Sequence, residues 1–120
     1  MTAYTVLTRD HRLTDRDIRE WVTDAAPTLH LREVARDAAR VASSTPGAKV
    51  TLARGVRSAE LALEPAWTVS SWTDDVREAG MWGPFVVTSD IDLVRILAVV
   101  HYPGLGVTEY VGASGATPSA

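Results

Sequence analysis

The sequence predicts an α+β fold in which two N-terminal helices pack on one face of a mostly antiparallel sheet of about five strands. Three observations predict it. Apolar residues recur at helical spacing from Ile18 to Ala42 and at period two from Val50 onward. The helical stretches are segregated at the N-terminal end instead of alternating with strands, which favours α+β over α/β. A chain of 120 residues, 46 % hydrophobic and 22 % charged, also has the size and mix of one globular domain able to bury a core without a disulfide or metal.

Taken in order, Tyr4 and Val6 alternating with Thr5 and Thr8 read as a short N-terminal strand. Thr14 is a good N-cap, with Asp17 three residues on in a capping-box position, and Ile18, Trp21, Val22 and Ala25 form the apolar stripe of helix one. Pro27 ends it. Thr28 caps helix two, whose face is Leu31, Val34, Ala35, Ala38, Val41 and Ala42, and the run from Ser43 to Gly47 stops it. So short a connection between the helices demands a close corner or hairpin.

The period then changes. Val50 and Leu52 alternate with Thr51 and Ala53, and Ala59, Leu61 and Leu63 with Glu60 and Glu64, which reads as a hairpin turning between Arg54 and Ser58 around Gly55. Residues 67–71 read as a further strand, Thr73 as the cap of a short helix through Glu78, and residues 85–88 as strand. The apolar run from Leu93 to Tyr102 is compatible with strand or helix. Its Ile and Val content and the Pro-Gly-Leu-Gly that follows favour strand, with Val107 to Val111 as hairpin partner. Residues 1–111 are thus read as one domain and 112–120, rich in Gly, Ala, Ser and Thr, as a flexible tail.

Composition excludes several chemistries. With no cysteine, thiol catalysis, cysteine zinc sites and iron-sulfur ligation are ruled out, and a cytoplasmic, reducing location is expected. The first ten residues lack the pattern of a secretory signal, and the longest apolar run, Ile96 to Val100, is far short of the roughly 20 residues that span a bilayer. Eleven of the 12 basic residues are Arg and 17 residues are Ala, as a GC-rich bacterial or phage genome would encode. His11, His30 and His101 do not stand at metal-ligand spacing, and no phosphate loop, dinucleotide fingerprint or nucleophile elbow occurs. No metal, cofactor or catalytic residue is assigned, and the sequence leans away from an enzyme. His101, at the end of the most apolar segment, is the best placed imidazole for a perturbed pKa, while the pairs Asp74 and Asp75, and Asp90 and Asp92, fit acid-base work less well than local capping.

Two segments carry functional expectations. Residues 66–85 hold Trp67, Trp72, Met81, Trp82 and Phe85 in a stretch broken by Gly80, Gly83 and Pro84. Irregular backbone runs over the surface, and exposed tryptophans there mark an interaction site, so the leading expectation is a non-enzymatic regulatory module binding a protein partner or a second copy of itself. The alternative rests on charge. The chain carries a net −3, yet residues 28–58 carry +4 and residues 59–120 carry −6. Arg32, Arg36, Arg40, Arg54 and Arg57 could form a winged-helix or ribbon-helix-helix nucleic-acid site. Against it, Ser-Ser-Thr-Pro-Gly stands where a recognition helix should follow, and residues 1–8 hold no basic side chain. A small-molecule or catalytic pocket near His101 and the acidic turns is the third expectation.

Overall fold

The computed structural model describes residues 3–45, 47–57 and 68–114. In chain order they form β1 (Thr5–Thr8), α1 (Asp15–Asp24), α2 (Leu29–Ser44), β2 (Lys49–Val56), β3 (Val69–Trp72), α3 (Val76–Trp82), β4 (Phe85–Asp92), β5 (Ile96–Tyr102) and β6 (Val107–Ala113). The fold is α+β, with its first two helices N-terminal as expected. The strands divide differently from the expected single sheet: β1, β5, β6 and β3 make a four-stranded antiparallel sheet in that order, and β2 pairs with β4 in a separate two-stranded ribbon.

The helical layer follows its sequence signals closely. The Thr14 hydroxyl accepts from the Asp17 amide at 3.2 Å, and the Asp17 carboxylate accepts from the Thr14 amide at 2.8 Å. Its other oxygen accepts from the hydroxyl of Thr28, which itself caps α2 by accepting from the Leu31 amide at 2.9 Å. One buried carboxylate therefore ties the starts of both helices together. Burial alone would raise the Asp17 pKa, but the hydrogen bonds from Thr28 and Thr14 outweigh it and hold the group below its ordinary 3.8.

The two helices cover one face of the four-stranded sheet. Ile18, Trp21, Leu31, Val34, Ala35 and Ala38 bury against Leu97, Ala98, Val100, Val111 and Ala113. The run of alanines lets the α2 backbone lie close to the strands. Val41, expected in this core, is 37 % exposed, and Ala39 is buried instead. At about 100° per residue Val41 points roughly 100° from the centre of the buried stripe. The ambiguous run from Leu93 begins as one 3-10 turn, Leu93–Arg95, then becomes strand β5 paired with β6. Gly106 closes that hairpin at φ +63, where a side chain would be strained.

Side chains alternate across a strand, so Val99, Tyr110 and Trp72 point away from the helices. The β2–β4 ribbon lies over that opposite face, where Leu52 and Ile91 bury with Trp72 and Ile96. Ala53 and Thr73 exchange backbone hydrogen bonds of 2.8 and 2.9 Å, which stitch ribbon to sheet.

Several boundaries differ from the sequence reading. Gly55 is not a turn: β2 runs straight through it, because a Cβ there would run into the carbonyl oxygen of Ala79 and only glycine admits α3 so close. The short helix is capped by Asp75, whose carboxylate accepts from the Arg77 amide at 2.9 Å, while Thr73 accepts from the Asp75 amide just before it. That helix runs on through Gly80 to Trp82. Strand β4 continues to Asp92, since all eight of its residues find partners on β2. Strand β6 extends through Gly112 to Ala113, whose carbonyl accepts from Arg95 at 2.9 Å, so the tail boundary at residue 112 falls inside a strand. The expected strand at Ala59 to Leu63, and Trp67, lie outside the described residues.

Candidate functional site

Helix α3 has seven residues and is too short to persist without tertiary support. Its support comes from its smallest residues. Ala79 is fully buried, Gly55 leaves room for the helix backbone against β2, and Gly83 lies so close to Val56 that a Cβ there would meet the Val56 backbone. With the small residues facing inward, the large ones face out. Met81 is 85 % and Trp82 66 % exposed, and Val76, Phe85 and Val86 are exposed beside them. The structure therefore separates the tryptophan-rich segment: Met81, Trp82 and Phe85 are each exposed, whereas Trp72 is buried and donates its indole N–H to the Ser70 hydroxyl at 2.8 Å. Trp72 is a core residue and has no surface to offer a partner.

A second feature was not foreseen. A cleft of about 1250 Å³ opens between α1, the edge of the four-stranded sheet and the β2–α3 unit. On its wall Glu109 accepts from the Trp21 indole and from the Tyr102 hydroxyl, both at 3.0 Å. Burial, reinforced by the Glu109 charge, pushes the Tyr102 pKa upward, so the phenol stays protonated and donates across the ordinary pH range. Thr73 donates to Glu78 at 3.0 Å on the opposite wall. Arg19, Arg32, Arg54 and Arg57 also line the cleft. The basic middle of the chain is thus divided, with Arg32, Arg54 and Arg57 at the cleft while Arg40 pairs with Asp37 outside it.

The remaining candidates serve local structure. His101 is exposed on the outer sheet face, with Nδ1 3.1 Å from the Thr108 hydroxyl. Asp74 accepts from the Tyr110 hydroxyl at 3.2 Å, Asp75 caps α3, Asp90 accepts from Thr51 at 2.5 Å, and Asp92 lies 3.7 Å from Arg95. Neither His101 nor Asp74, Asp75, Asp90 or Asp92 lines the cleft. Among the described residues no group of His, Cys, Asp and Glu could hold a metal ion, and no helix is long and apolar enough to cross a membrane. Glu109 was legible in principle: it stands two residues from both Val107 and Val111 and so shares their face, which puts a carboxylate on the helix-facing side of β6. The chain matches no family model, no curated protein and no solved structure.

Proposed function

We propose that the chain is a cytoplasmic, non-enzymatic regulatory module that docks a protein partner through the apolar surface of α3 and the first half of β4. The observation that carries this reading is the exposure of Met81 and Trp82, 85 % and 66 %, on a helix that buries only Ala79. Large apolar groups clustered on a surface lose free energy to water until something covers them. Tryptophan and methionine are also the side chains that interface cores favour. Arg77, exposed and 3.7 Å from Asp75, contributes a polar rim.

The test compares the parent chain with a Met81→Ser, Trp82→Ser double variant, using affinity capture from the host and sedimentation velocity side by side. The reading expects a captured protein that the variant loses, or a parent dimer that the variant splits, with the melting temperature held. Identical capture profiles and identical monomeric sedimentation would sink it. The nucleic-acid reading keeps one supporting observation, Arg32 and Arg36 exposed one turn apart on α2. A gel shift on duplex that fades steeply with salt would favour it.

A further inference from the structure

We infer that the cleft between α1 and the β2–α3 unit binds an amphipathic organic anion, a molecule with an apolar body and a single carboxylate head. Its volume, about 1250 Å³, is ample for a small-molecule ligand. Trp21, Val22, Val56, Val69 and Trp82 give it apolar walls. Such walls reward an alkyl or aryl body and keep the local dielectric low, which strengthens any charge interaction at the mouth.

The sign of the ligand follows from the charged groups. Among the described residues, Arg19, Arg32 and Arg57 line the cleft beside Glu78 and Glu109, so the described lining carries a net positive charge on a chain whose net charge is −3. Both glutamates already accept hydrogen bonds, Glu109 from Trp21 and Tyr102 and Glu78 from Thr73. Arg19, Arg32 and Arg57 stand on α1, on α2 and just past the end of β2, and among the described residues none of the three is ion-paired. Guanidinium groups supplied by separate elements to the lining of one apolar cleft suit a carboxylate attached to a hydrophobic body. A nucleic-acid backbone, charged along its whole length, has no use for the apolar walls.

Isothermal titration of the full chain with decanoate, decanol and acetate tests this, alongside an Arg32→Ala, Arg57→Ala variant whose fold is checked by circular dichroism. Decanoate should bind saturably and acetate should not, because the apolar walls supply most of the affinity. Removing the two exposed arginines should weaken decanoate by about tenfold and leave decanol unchanged, as the loss of a charge-assisted hydrogen bond predicts. A second variant, Ser71→Trp, places a bulky ring on the exposed strand residue that lines the cleft and should abolish binding of both alkyl ligands without lowering the melting temperature. The proposal is overturned if decanoate shows no saturable binding at millimolar concentration, if the arginine variant binds it as well as the parent, or if a folded Ser71→Trp chain keeps full affinity.

Discussion

Helices α1 and α2 and helix α3 solve the same packing problem in opposite ways. In α2 the apolar stripe of Leu31, Val34 and four alanines is buried from end to end, and the same is true of Ile18 and Trp21 in α1. In α3 the inward contact is made by Ala79 and the flanking Gly55 and Gly83, and Val76, Met81 and Trp82 are left in water. A helix held by its small residues has its large ones available for something else. The comparison assigns stability to the helical layer and its sheet face, and binding to the α3 end of the ribbon.

The largest expected effect attacks the first half of that comparison. Trp21 is 8 % exposed, spans the helix–sheet interface and hydrogen-bonds Glu109. Trp21→Ala should cost about 3–5 kcal/mol through the lost burial and the cavity left behind. A variant melting within two or so degrees of the parent would show that the helical layer is not the stabilising unit.

Asp17 comes next, because removing its carboxylate orphans donors on both helix starts. Asp17→Ala should cost about 2–3 kcal/mol. Its pKa is lowered in the folded chain, so the stability it contributes is present above the ordinary carboxylate value of 3.8 and is lost as pH falls through the lower folded-state value. Asp17→Asn should therefore flatten the acid limb of a stability-against-pH curve. A limb as steep as the parent's would remove Asp17 from that role.

What made the helical layer legible and the ribbon not is a matter of range. Thr14, Asp17, Thr28 and the Ala-rich stripe of α2 act within a turn or two of their own positions, and their signals survive in the linear sequence. Gly55 shows the contrary case. Read locally, a glycine between strand-like residues is a turn; its actual use is to receive a helix more than twenty residues further along the chain. The tryptophan segment failed in the same way, since Trp72 and Trp82 have equal claims from composition and only the strand β3 and helix α3 place one inside and the other out. The cleft was legible least of all. Arg19, Arg32 and Arg57 line one cleft only once α1, α2 and the end of β2 are in place.

Gly55→Ala sharpens the comparison at the junction. The new methyl group would meet the Ala79 carbonyl, and overpacking of this kind costs about 1–3 kcal/mol. The disturbance should stay local, because the helical core is on the other face of the four-stranded sheet. Hydrogen exchange should show the amides of α3 losing protection while those of α1 and α2 keep theirs. Uniform loss across all three helices would mean that the two regions melt as one and that α3 is not a separately docked element.

The smallest expected effect on stability belongs to Trp82→Ser, and it is the one that most directly opposes the two regions. Trp82 is the same residue type as Trp21 but is 66 % exposed, where Trp21 is 8 % exposed. Only the buried part of an indole contributes transfer free energy, and a surface substitution away from caps and core contacts changes stability by no more than about 0.5 kcal/mol. A melt of Trp82→Ser should therefore overlay that of the parent, while any partner contact or self-association made through the α3 patch weakens. Serine also removes the largest apolar group of the patch, so binding of an apolar fluorescent dye should fall with it. If Trp82→Ser costs as much as Trp21→Ala, the ring is held within the fold after all. The small residues would then not be what anchors α3, and the patch would lose its claim to be a binding surface.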